Sequence, residues 1–160
     1  MSYTPAENQD SLVQDQRDIT SLFSTDLSGV DPNLPLLAPS DIVFRIDDCK
    51  VLETKDKTSQ NLTFSLSTVY PQMSTKGKTL EPGYKLTHYV SLKPVDKEGR
   101  DRKDQLLRTL RGIMDAVGRT GQFGDPASYI GSQIKGAVLV ESDASGKYAD
   151  KNTIKRFIAK

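Results

Sequence analysis

The sequence predicts a mostly β chain with one main helix, in the order β-β-β-α-β-β, behind a flexible N-terminal arm. Three observations predict it. Residues 134–158 read as a strand, a tight turn and a strand; residues 106–117 carry one apolar stripe at helical spacing; and three alternating segments lie between residues 41 and 93.

Residues 1–38 are rich in Asp, Ser, Asn and Gln and interrupted by Pro5, Pro32 and Pro35, which gives an acidic, largely flexible arm; Leu12, Ile19, Leu22 and Phe23 are poorly spaced for a helix between Asp10 and Phe23. Pro35 to Ser40 is an extended lead-in, because each proline fixes φ and pushes its predecessor towards β or polyproline II. The first strand runs from Asp41 to about Leu52, with Ile42, Phe44 and Ile46 on one face and a bulge expected past Asp48, where the phase weakens. After a polar turn over 53–61, Leu62, Phe64 and Leu66 carry a second strand to about Tyr70. A long loop over 71–83 follows. The third strand, Tyr84 to Lys93, puts Leu86, His88, Val90 and Leu92 on the apolar face and Lys85, Thr87, Tyr89, Ser91 and Lys93 on the polar one. Leu106, Leu107, Leu110, Ile113, Met114 and Val117 form the helical stripe, and Gly118 stands where a left-handed cap is expected. Ile134, Val138 and Val140 alternate with Lys135, Ala137 and Leu139; residues 143–148 supply turn chemistry, and a last strand starts at Asn152.

Strands, one amphipathic helix and a closing hairpin in this order make a five-stranded Greek-key barrel, the OB-fold, over residues 39–160, with the helix covering one open end. At 160 residues the chain is long enough for one domain with a real core. No apolar run approaches the roughly 20 residues that span a bilayer, so no membrane contact is expected. The first residues have neither the basic nor the apolar region of a secretion signal. Cys49 and His88 are single residues of their kind, which excludes an intramolecular disulfide and a Cys/His zinc site within one chain and suits a reducing cytoplasm.

Net charge is +1, but it is unevenly spread. Residues 1–39 hold six carboxylates against Arg17, a net −5, so residues 40–160 carry 21 basic and 15 acidic groups, a net +6. An acidic arm on a basic body fits a nucleic-acid binder whose arm competes for the basic surface, and it equally fits a solvated leader.

Catalytic motifs are missing: there is no P-loop, no Gly-rich dinucleotide turn and no paired histidine spacing. No cofactor or metal is expected. His88, on the apolar face of its strand, reads as a hydrogen-bonded, partly buried imidazole. Asp47 and Asp48 read as solvated strand-edge charges, although two carboxylates at a strand end are also what a nuclease uses to hold a cation. The polar face of the third strand carries more. Lys85, Tyr89 and Lys93, interleaved with hydroxyls, offer cations for phosphates and a ring for base stacking, worth roughly 1–3 kcal/mol per base. Lys55 and Lys57 in the first turn and Lys76 and Lys78 in the long loop would rim this face, and Tyr148, Lys151, Lys155 and Phe157 would extend it from the closing hairpin.

Several of these segments together resemble phage-encoded single-stranded DNA-binding proteins and their uncharacterised OB-fold relatives. Leu36 to Ile46 looks like their lead-in and first strand, and Leu106 to Gly118 is similar to their helix with its Ala-x-Gly ending. Ile130 to Val140 and Tyr148 to Lys155 resemble their last two strands. The resemblance implies a non-enzymatic protein that coats exposed single-stranded DNA during phage replication or recombination, in the host cytoplasm, with a homo-oligomer as one form. Members of that group often recruit partners through an acidic C-terminal tail. Here the acidic segment is N-terminal, so recruitment of a replication or recombination protein would fall to the arm. The alternative is an OB-like interaction or assembly module, a phage particle component or an inhibitor of a host system, whose arm wraps a neighbour.

Overall fold

The computed structural model describes residues 21–28 and 35–160. Most of the expected arm therefore lies outside the described residues. Residues 21–23 are helical, and the Asp26 carboxylate accepts hydrogen bonds from the Ser28 amide and hydroxyl. The compact unit that carries everything below begins at Pro35 and runs to Lys160.

This unit is mostly β with one main helix. Its strands are β1 (Ser40–Glu53), β2 (Gln60–Thr68), β3 (Gln72–Met73), β4 (Thr79–Leu80), β5 (Lys85–Ser91), β6 (Gln133–Glu141) and β7 (Lys151–Ile158); the helix α1 spans Lys103–Val117. The five long strands form one antiparallel sheet in the order β5-β2-β1-β6-β7. The fourth long strand lies beside the first, which is the Greek-key arrangement. β1 is long enough to serve two neighbours: Ser40 to Arg45 pair with β6, and Phe44 to Glu53 pair with β2. The β1–β2 register slips between Ile46 and Asp48, so β1 carries a bulge, but at Asp47, earlier than the position past Asp48 where it was expected. It lets Ile46 and Cys49 both face inward and bends the strand.

Alternation puts Ile42, Phe44, Ile46, Leu62, Phe64, Leu66, Ile134 and Val138 on the inner face, all buried. Each such side chain contributes about 1.5–3 kcal/mol by leaving water. Helix α1 covers this core with Ile113, Met114 and Ala116, not with the whole expected stripe: Leu107, in its first half, is 53% exposed. The C-terminal half does most of the packing, joined by the partly buried Leu110 and Val117, and Leu107 lies outside it. Gly118 ends the helix at φ 79° in the left-handed region, with the Arg119 amide bonded back to the Met114 carbonyl (2.8 Å), as the sequence leads one to expect. A short 3₁₀ turn, Pro126–Tyr129, closes one flank. Tyr129 is fully buried there, stacked on Phe123 at 4.5 Å with the Arg119 guanidinium 3.9 Å from its ring, and its hydroxyl donates to the Phe123 carbonyl.

The long loop after β2 is not plain loop. β3 and β4 form a two-residue hairpin inside it, and the lead-in segment lies along it: the Ala38 amide donates to the Met73 carbonyl and the Thr75 amide to the Leu36 carbonyl, both at 2.9 Å. Leu37 is fully buried, and Asn152 of β7 clamps its backbone. The side-chain Oδ1 accepts from the Leu37 amide (2.8 Å), and Nδ2 donates to the Leu37 carbonyl (2.9 Å). Among the described residues no ladder joins β5 to β7. The sheet curls enough to bring these edges together, with the His88 and Phe157 rings 5.0 Å apart, but it is not closed by hydrogen bonds.

Candidate nucleic-acid interface

The polar face of the sheet is built row by row from the ladders. Tyr89 of β5 stands opposite Thr63 of β2, which stands opposite Lys50 of β1; the next row is Thr87, Ser65 and Asp48. Lys85, Ser67 and Arg45 continue it, and Gln133 of β6 extends that row. Neighbouring strands lie about 4.8 Å apart and same-face residues about 6.6 Å apart. The result is a strip of hydroxyls with Lys85, Arg45 and Lys50 set among them and one aromatic ring, Tyr89, standing 61% exposed. The phase assigned to β5 from sequence is the one observed: Lys85, Thr87, Tyr89 and Ser91 are exposed, while Leu86, His88 and Val90 turn inward. Thr63 is only 6% exposed although it belongs to this outer face, and its hydroxyl has no hydrogen-bond partner. It lies between the two longest side chains of its row, Tyr89 and Lys50.

The other candidate residues divide into two groups. Lys55 and Lys57 are exposed in the β1–β2 turn, where Lys57 takes a left-handed φ of 57°. Asp56 sits between them, and hydrogen bonds from the Thr54 hydroxyl and from the Thr58 amide and hydroxyl pull its pKa down to about 2. Its negative charge therefore offsets half of that pair. Lys93, just past β5, is exposed at the same end of the sheet, since the Leu92 amide bonds the Gln60 carbonyl (2.9 Å). Lys76 and Lys78 flank the β3–β4 turn at the opposite end. They share that end with Tyr148 and Lys151 of the β6–β7 hairpin, because Leu37 touches both Ser74 and Asn152. Tyr148 is 68% exposed, with the Lys147 ammonium 5.5 Å from its ring.

Lys155 and Phe157 do not extend this face. The β6–β7 register slips between Ala137 and Val138, which makes Lys155 the extra residue of a bulge and turns Phe157 inward, 6.0 Å from Phe64. A bulge reverses the alternation beyond it, which strand periodicity alone does not reveal. His88 lies against the same rings, and desolvation lowers its pKa; the hydrogen bond expected for it is not made to any described residue. Asp48 is engaged by the Cys49 amide (2.9 Å) and the Lys50 ammonium (3.2 Å), and no group of three potential ligands for a metal occurs among the described residues. Cys49 is buried beside it, and loss of solvation, helped by the Asp48 and Asp125 charges, pushes its thiol up to about 11. Sequence reasoning missed Arg45 and Lys50, because their contribution depends on which β2 residues the bulged register puts beside them.

No helix among the described residues is long and apolar enough to cross a membrane. No family model matches this chain, and no curated protein matches it.

Proposed function

We propose that the chain is a non-enzymatic OB-fold protein that binds single-stranded DNA along the outer face of β2 and β5. The observation that carries this reading is Tyr89: a large ring held out of the core, mid-strand, in a strip of hydroxyls and cations. An exposed ring with Lys85 two same-face positions along the strand provides the two things a single strand needs, a stacking platform and phosphate-reach charge, without base-edge readout. The Greek-key strand order and the helix-covered core support the OB-fold part of the proposal. In that architecture the face of the second and third barrel strands, flanked by the first and last turns, is the binding surface; here those turns carry Lys55, Lys57 and Tyr148. The net −5 of residues 1–39 then gives the body a competitor of its own for the basic face and a handle for a replication or recombination partner.

Binding of labelled oligothymidine, measured by anisotropy over a salt series, tests the reading. Each neutralised phosphate contributes a slope of about −0.7 in log affinity against log salt. Two to four contacts give a slope of about −1.4 to −2.8 on the same basis. A flat salt response, or no binding at about 50 mM salt, contradicts it.

A further inference from the structure

The unpaired side of the sheet contains a second candidate site, which the outer-face reading does not use. Where β5 and β7 approach without a ladder, α1 overhangs the gap and leaves a cleft of about 340 Å³, within the range of roughly 300–1,000 Å³ of small-ligand sites. Arg108 of α1 and Lys155 and Arg156 of β7 line it, with the His88 and Phe157 rings; no carboxylate does.

Three features of this cleft go together. First, the three cations converge on one concavity with no hydrogen-bond or ion-pair partner among the described residues, whereas arginines on nearby surfaces are neutralised. Arg111, one turn further along the same helix, pairs with Asp115 four residues on (2.8 Å), and Arg100 pairs with Asp96 (3.0 Å). The position four residues after Arg108, where a carboxylate would neutralise it, is Gly112. Like charges gathered in one concavity repel, and a bound anion relieves that repulsion.

Second, Gly112 sits inside a helix, where glycine is about 1 kcal/mol less favourable than alanine. Close packing does not require it, since a Cβ there would meet nothing within 4 Å. Its effect is to keep the helical wall of the cleft open. Third, the β7 bulge that makes Lys155 an extra residue is what brings it to the cleft instead of the outer face. The remaining lining combines the polar Gln105 and Thr109 with two rings, Phe157 meeting His88 edge-on with centroids 5.0 Å apart and planes at 81°.

Cations beside an aromatic wall suit an anion attached to a flat ring. We propose that this cleft binds a nucleoside 5′-phosphate, the phosphate held by Arg108, Lys155 and Arg156 and the base laid against Phe157. Arginine suits the task, since its planar fork can give two parallel hydrogen bonds to phosphate oxygens. The same chemistry is presented by a free nucleotide and by the 5′ end of a strand. The proposal stands whether or not the outer face binds DNA.

The test is calorimetry on the full chain at low salt with thymidine 5′-monophosphate, thymidine, and one oligonucleotide carrying either a 5′-phosphate or a 5′-hydroxyl. The monophosphate should bind one to one, and thymidine at least tenfold more weakly. Arg108→Gln should weaken the monophosphate at least tenfold. Gly112→Leu, which fills the cleft while improving helix propensity, should abolish binding with an unchanged or raised melting temperature. Lys103→Gln, an exposed cation at the start of the same helix and outside the cleft, should leave nucleotide binding unaltered. Given such binding, an Arg108-dependent gain from the 5′-phosphate on the oligonucleotide makes the strand end the ligand, and no gain makes it the free nucleotide; both uphold the site. Absence of monophosphate binding, or binding indifferent to both Arg108→Gln and Gly112→Leu, overturns it. If oligothymidine still binds in that case, only the cleft has failed.

Discussion

Tyr89 and His88 are adjacent in sequence and lie on opposite sides of β5, in settings of different origin. Tyr89 stands exposed among Thr87, Ser91 and Lys85, a strip made by one strand's alternation and carried on by its neighbour. His88 lies against Phe64 and Phe157, in a cleft assembled from β5, a bulged β7 and the overhanging half of α1. The outer face depends on a local pattern. The cleft depends on three elements meeting, and its chemistry follows from a register slip and a helix glycine. That contrast separates what a variant on each side should do.

The largest effect is expected on neither ligand surface but at the clamp that ties the lead-in to the inner side. Asn152→Ala removes the partners of the buried Leu37 amide and carbonyl. Leaving both unsatisfied should cost roughly 2–4 kcal/mol of stability in a denaturant melt. Oligothymidine affinity should hold in the fraction that remains folded. A loss of affinity without loss of stability would move the binding surface to this end of the sheet.

Acid pH tests the His88 side. Desolvation lowers its pKa from the ordinary 6.5, so the unfolded chain takes up a proton before the folded one does. That penalty is absent above the ordinary value and grows as pH falls below it. The melting temperature should therefore decline from about pH 6.5 towards pH 5, and His88→Gln should flatten that part of the curve. Strand binding at the Tyr89 face should not follow it. The smallest effect is expected at Lys85, an exposed cation: Lys85→Ala should lower oligothymidine affinity modestly at low salt and reduce the salt slope by about 0.7. A stability change above about 1 kcal/mol, unusual for a surface substitution, would show that Lys85 is not the free outer-face charge described.

Legibility in the sequence followed how local each feature is. The phase of β5 and the Gly118 cap were readable, because each depends on a few consecutive residues, whereas the β1 bulge was expected past Asp48 and lies at Asp47. The β3–β4 hairpin was not readable, since two-residue strands have no periodicity and this one is aligned by the backbone of Leu36 to Ala38. The Asn152 clamp was equally hidden, joining residues 115 positions apart. The apolar stripe of α1 read as one buried surface, but sequence does not tell how far a helix overhangs its core, and Leu107 is exposed as a result. Lys155 entered the candidate set as an outer-face cation. Its place in the cleft depends on one unpaired residue in β7, and spacing along a strand carries no sign of that.

The central claim is that the outer face of β5 binds a single strand by stacking on Tyr89, and anisotropy titration of oligothymidine against the wild-type chain and Tyr89→Ala tests it most directly. The ring is exposed, so its removal should cost roughly 1–3 kcal/mol of affinity while the melting curve shifts by less than about 1 kcal/mol. Unchanged affinity in a folded Tyr89→Ala protein would contradict the claim.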